Sequence, residues 1–209
     1  MLNNTIFALD MNAANNIHPI FDKILTKEHK EELLKQKGIV LWMVGLSGSG
    51  KSTLAKALEK DLHNKGILTQ LLDGDNLRTG INNNLGFSET DRIENIRRAA
   101  EVSKLFMNCG IVTICSLISP TAEIRKIAKE IIGEGFLEVF VNCPLEVCEQ
   151  RDVKGLYKKV RSGEIKNFTG IDSPFEAPSN PDIELRTDQT DLETCRQQLF
   201  EKVIYKIKY

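Results

Sequence analysis

Two hydrophobic rhythms alternate along the chain. Short apolar runs at 39–44, 67–72, 111–118 and 136–141 have the pattern of strands buried on both faces. A shorter run at 183–185 reads as a fifth strand. Between the runs, apolar residues recur every three to four positions: Leu54, Leu58 and Leu62; Ile93, Ile96, Ala100 and Met107; Ile124, Ile127, Ala128 and Ile131; Leu192, Cys195, Leu199 and Val203. That spacing gives amphipathic helices. Gly66, Gly110 and Gly133 stop the first three, as residues past a helix end do. Thr26 opens a charged helix that Gly38 ends, Ser88 caps another, and Ser119-Pro120 starts the next. Pro144 opens a short helix to about Arg151, and Thr190-Asp191-Leu192-Glu193 reads as a capping box. Strands alternating with helices predict an α/β fold, a parallel sheet sandwiched between helices, with ligands at the carboxyl ends of the strands.

The rhythm fails twice. Residues 1–25 have little periodicity and form an expected N-terminal extension; residues 26–209 form one domain. Residues 152–180 are rich in Lys, Gly, Pro and Ser, and a loop this long in a compact domain is expected to be a functional lid. Arg151, Lys154, Lys158, Lys159, Arg161 and Lys166 make it basic. The net charge of −1 supplies no global pull toward nucleic acid or an anionic membrane, so anions must be held by local residues like these. No apolar run reaches membrane-spanning length and no signal peptide opens the chain, so the expected location is cytoplasmic. The five cysteines include no C-x-x-C pair, and buried free thiols are expected.

The most specific stretch joins the first strand to its helix. Gly45-Leu46-Ser47-Gly48-Ser49-Gly50-Lys51-Ser52, followed by Thr53, is a Walker A loop, the phosphate-binding signature of P-loop NTPases. Glycines let the backbone N–H groups approach phosphates at a helix N-terminus. Lys51 is expected to neutralise the β- and γ-phosphates of ATP, and the Ser52 hydroxyl to ligate Mg²⁺. No Asn-Lys-x-Asp tetrad follows a strand, so a guanine-reading switch is not indicated.

Asp73 and Asp75 follow the second strand, where a carboxylate can hold Mg²⁺ or accept a hydroxyl proton; Asp-Gly-Asp-Asn is also good turn chemistry. Arg92 and Asn95 share a helix face, as i and i+3, and with Arg78 could fork an anion; a solvated charged face is the plainer reading. Ser119 can cap a helix, present a hydroxyl to a substrate, or both. Phe87 and Phe168 are aromatics in polar loops, suited to stacking on a base or to pinning the loop.

Gly-Leu-Ser-Gly-Ser-Gly-Lys-Ser-Thr (45–53), Leu-Asp-Gly-Asp-Asn-Leu-Arg (72–78), the block at 85–98, Ser-Leu-Ile-Ser-Pro (116–120), the block at 144–158 and Phe-Thr-Gly-Ile-Asp (168–172) together resemble the adenylyl-sulfate kinase (APS kinase) family. The resemblance implies γ-phosphate transfer from ATP to the 3′-hydroxyl of adenylyl sulfate, giving PAPS. It implies that Asp73 and Asp75 belong to the Mg²⁺ and hydroxyl region, and that Arg78, Arg92 and Asn95 hold the phosphosulfate and ribose. Phe87 and Phe168 would sandwich the substrate adenine, Ile118 and Ser119 would touch the substrate, and Arg151 and Lys154 would meet nucleotide and phosphates. It gives Ser119 a candidate phosphoserine role. It also implies a single-function homodimer downstream of ATP sulfurylase. The chain departs from the family pattern at Thr121-Ala122-Glu123, at Asn142 and at Lys166-Asn167.

Overall fold

The computed structural model describes residues 16–209. They build a five-stranded parallel sheet in the order β2-β3-β1-β4-β5, from Val40–Val44 (β1), Thr69–Asp73 (β2), Val112–Ser116 (β3), Phe136–Asn142 (β4) and Ile183–Arg186 (β5). All five side chains of β1 are buried, which is why its sequence is continuously apolar rather than alternating. Leu41 and Met43 meet Leu54, Leu58 and Leu62 of the helix Lys51–Asn64 (α2, after the charged helix α1 at Lys27–Leu34). Val40, Trp42 and Val44 face the other layer, with Ile96, Ala99 and Ala100, and Ile124 and Ala128.

Those residues belong to α4 (Glu89–Met107) and α5 (Ala122–Ile132), separated from α2 by a short α3 (Gly74–Thr79). The remaining helices are α6 (Leu145–Arg151), α7 (Leu156–Arg161) and α8 (Leu192–Ile204). Several caps differ from expectation. Helix α1 stops at Leu34 because Lys35 adopts a left-handed conformation, well before Gly38. Asp91 and Arg92 lie in the first turn behind the expected Ser88 cap, but α5 is capped by Thr121, not Ser119, and α8 by Asp191, not Thr190. The turn after β2 is the helix α3, capped by the Asp73 carboxylate. Leu192 is exposed, while Cys195, Leu199 and Val203 are buried as predicted.

Among the cysteines, Cys115, Cys143, Cys148 and Cys195 are buried free thiols and Cys109 is exposed. Burial pushes the Cys115 and Cys148 thiols up to about 12, so they stay protonated and unreactive. Residues 16–25 are exposed and carry one 3₁₀ turn, Phe21–Lys23; the rest of the expected extension, 1–15, lies outside the described residues.

Candidate active site

The Walker loop wraps the N-terminus of α2 at the carboxyl end of the central strand. Its glycines are needed: a Cβ on Gly45 would lie 2.5 Å from the Val141 carbonyl, and one on Gly48 3.0 Å from that of Cys148. Lys51, only 8% exposed, bends back so that its ammonium donates to the carbonyls of Gly45 (2.9 Å) and Leu46 (2.7 Å). Desolvation lowers its pKa to about 8.

The Ser52 hydroxyl donates to Asp73 Oδ2 at 2.7 Å and lies 3.1 Å from Ser116 Oγ. The parallel register explains this meeting, since Asp73 and Ser116 end β2 and β3 side by side. The other Asp73 oxygen accepts the Asp75 N–H at 3.0 Å and so caps α3. The carboxylate is therefore held in one orientation beside the phosphate loop. A hydroxyl paired with one carboxylate, at the mouth of a phosphate site, fits Mg²⁺, which takes oxygen ligands and shares them with substrate phosphates.

A cavity of about 720 Å³ opens there. It gathers every predicted site residue except Gly45, Leu46, Ser49 and Arg151. Asp75 pairs with Lys154 across it. Arg78 donates to the carbonyls of Leu85 (3.1 Å) and Gly86 (2.9 Å), with its guanidinium 4.3 Å from the centre of the Phe87 ring. Phe87 is 63% exposed. Arg92 donates to Phe87 O (3.0 Å), to Thr169 Oγ1 (2.8 Å) and to the Asn167 carbonyl, so it ties residues 167–169 to the start of α4. Burial pulls both guanidinium groups below their ordinary range, yet arginine stays cationic. Asn95 is buried, and its side-chain oxygen accepts from Asn82 at 3.0 Å.

Residues 152–180, the expected lid, are partly helical. Tyr157 of α7 donates its hydroxyl to the Ser47 carbonyl at 2.9 Å, and Phe168 stands edge-on to its ring at 5.0 Å. Arg151 sits outside the cavity, against the Walker loop, donating to Thr187 O (2.6 Å) and more weakly to Gly48 O (3.4 Å). Thr187 in turn donates to Ser49 O at 2.8 Å and ties the loop to β5. Ser116, Tyr157 and Thr169 lie in the motif blocks at 116–120, 144–158 and 168–172 but carry no predicted role there, and Asn82 and Thr187 carry none either. A hydroxyl at a strand end marks Ser116 as a candidate, but its partners depend on which strand lies beside it.

A kinase acting on a small acceptor needs donor and acceptor walls on one rim and a segment that closes over both. This fold opens the Walker loop and the opposite wall into one cavity, with residues 152–169 along its edge, and the arrangement is that of a P-loop kinase. The family model of adenylylsulphate kinase matches residues 37–186. An adenylyl-sulfate kinase of Bacteroides fragilis is 61% identical over 94% of this chain and 98% of its own length, and one of Clostridium acetobutylicum is 56% identical over 85% and 88%. The Mycobacterium tuberculosis APS kinase CysC, in a structure with AMPPNP and APS, is 48% identical; the match covers 80% of this chain and 98% of that one with a TM-score of 0.76. The chain belongs to the adenylylsulphate kinase family.

Proposed function

We propose that this protein transfers the γ-phosphoryl group of ATP to the 3′-hydroxyl of adenylyl sulfate, giving PAPS and ADP. The observation that carries the reading is the single cavity joining the Walker loop and Asp73 to a wall of Arg78, Phe87, Arg92, Asn95 and Phe168. That wall offers both aromatic faces and guanidinium groups, which suits an acceptor with a base and an anion. In the transfer, the acceptor oxygen bonds to the γ-phosphorus, the bond to the β–γ bridging oxygen breaks, and ADP leaves. Asp73 accepts the hydroxyl proton. Lys51 and the loop N–H groups hold the charge that moves onto the phosphates. Ser52 and Asp73 would hold Mg²⁺, which neutralises phosphate charge when bound. Closing residues 152–180 over the rim excludes water.

The test is direct. The purified protein with Mg-ATP is given adenylyl sulfate, AMP, gluconate or shikimate, and ADP release is measured. Turnover confined to adenylyl sulfate is expected; turnover with another acceptor and none with adenylyl sulfate sinks the reading.

Two further outcomes follow from the geometry. Phe168→Ala removes one stacking face and is expected to raise KM for the acceptor about 10-fold with little change in KM for ATP; an unchanged acceptor KM would make Phe168 only a lid pin. The second concerns Lys51. A bound polyphosphate stabilises its ammonium and lifts the depressed pKa, so the complex binds a proton that the free protein has lost. Calorimetry in buffers of different ionisation heat should show proton uptake on ATP binding that grows between about pH 7 and about pH 9. Uptake that stays flat over that interval would contradict the assignment.

The same reading includes residues 1–25 as an extension to the kinase domain, a homodimer in solution and a cytoplasmic setting supplied by ATP sulfurylase. The large apolar side chains exposed between Ile17 and Leu25 support association with a second copy. No described helix is long and apolar enough to cross a membrane. Light scattering tests the dimer.

A further inference from the structure

Ser119 has an unusual environment. Its φ of 48° lies in the left-handed region that side chains other than glycine rarely adopt. It lies on the cavity wall next to Ile118, yet is only 2% exposed. Its hydroxyl oxygen accepts the indole N–H of Trp42 at 2.9 Å. Its carbonyl accepts from Arg125 at 3.2 Å. Trp42 is the one tryptophan of the chain and is fully buried in the central strand. Arg125 is buried on α5, where it pairs with Glu138 of β4 at 3.1 Å and donates to the Glu176 carbonyl at 2.8 Å. Glu176 closes the ring, donating its N–H to Pro120 O and accepting from the Ala122 N–H. Neither Trp42 nor Arg125 lines the cavity.

The geometry points to Trp42 and Arg125 as positioning residues for the acceptor: acting on the two oxygens of Ser119 from the interior, they hold the 118–119 backbone in the conformation that forms the acceptor wall. A left-handed residue with a side chain persists only where its surroundings over-determine it. Here both its hydroxyl and its carbonyl are taken, the first by the central strand and the second by α5. The indole N–H needs this partner too, because a buried donor left unpaired is costly. Ser119 Oγ thus serves as an anchor. Arg125 extends the clamp to the end of the lid through Glu176, so the acceptor wall and the lid share one buried cation. The inference rests on reading this wall as the acceptor side.

Ser119→Ala, Trp42→Phe, their double variant and Arg125→Lys test it. Ser119→Ala should shift the emission of Trp42 to shorter wavelength, since the indole loses its hydrogen bond; this needs no substrate. KM for adenylyl sulfate should rise about 10-fold in each single variant, the effect of one unmade buried hydrogen bond. KM for ATP should stay within about 2-fold, and the double variant should match the worse single one. Arg125→Lys keeps the charge against Glu138 and should melt close to the unaltered protein, but show the same KM split. Unshifted emission in Ser119→Ala, or additive effects in the double variant, would overturn the clamp. Equal changes in both KM values would do the same. If the unaltered protein fails to use adenylyl sulfate, the acceptor reading falls, while the emission shift still decides whether Trp42 holds Ser119.

Discussion

Asp73→Ala is expected to lower kcat by about 10² to 10⁴-fold, the range of a lost general base, while ATP still binds. Both carboxylate oxygens are already oriented, one by Ser52 Oγ at 2.7 Å and one by the Asp75 N–H at 3.0 Å. The group is therefore already oriented beside the Walker loop, with no conformational search. Alanine also removes the cap of α3, a structural cost of about 1 kcal/mol. Asp73→Asn separates the two effects, because an amide oxygen can still accept from Asp75 but cannot take a proton at neutral pH. Asparagine should retain the melting temperature and lose kcat nearly as far as alanine. A kcat within a few-fold of the unaltered protein in Asp73→Asn would remove Asp73 from the chemistry.

Lys51→Met is the second large effect, and its two readouts run in opposite directions. Methionine keeps the length and apolar bulk of the side chain and discards the charge. Turnover should fall by about 10²-fold or more, the usual cost of removing a group that stabilises charge in the transition state. The free protein should melt at the same temperature or higher. Lys51 is a buried ammonium held by two neutral carbonyls and no close carboxylate contact, and desolvation has already lowered its pKa to about 8. Replacing such a charge with an apolar group relieves an unfavourable burial. Thermal melting and steady-state kinetics on the same preparation check both. A variant that keeps kcat within about 10-fold would mean that the loop N–H groups suffice.

The central part of this fold was legible in the sequence because its signals are local. Five consecutive apolar residues in β1, a glycine-rich loop and leucines four apart in α2 each report their own structure. What escaped notice depends on neighbours brought together by the strand order. Ser116 matters because β3 lies beside β2, so that its hydroxyl meets Ser52 and faces Asp73 in the register. Nothing near residue 116 announces that pairing. Arg125 sits on an amphipathic helix, where a basic residue normally reads as solvated; the buried stripe includes it at Ile124, Arg125, Ala128 and Ile132. Ser119 looked like a helix cap because Ser-Pro favours one, but the loop needed its left-handed turn and left the cap to Thr121. Arg92 and Asn95 were correctly placed on one face. The latch from Arg92 to Asn167 and Thr169 required the lid's position, which has no local code.

That latch belongs to a wider arrangement. Lys51 holds the carbonyls of Gly45 and Leu46, Arg78 those of Leu85 and Gly86, Arg92 that of Asn167, and Arg151 that of Thr187. Each of these four cations is thus bound to a backbone carbonyl of its own chain, so on the proposed reading a phosphate or sulfate arriving at one of them must outcompete a carbonyl, not merely shed water. Recognition becomes a ligand exchange in which one set of oxygens replaces another around fixed positive centres. Such an exchange selects for anions, since a neutral oxygen gains nothing over the one it displaces. For Arg92 a second consequence follows on the proposed reading: the arriving group competes for the contacts to Asn167 and Thr169, so that segment must re-seat as the site fills.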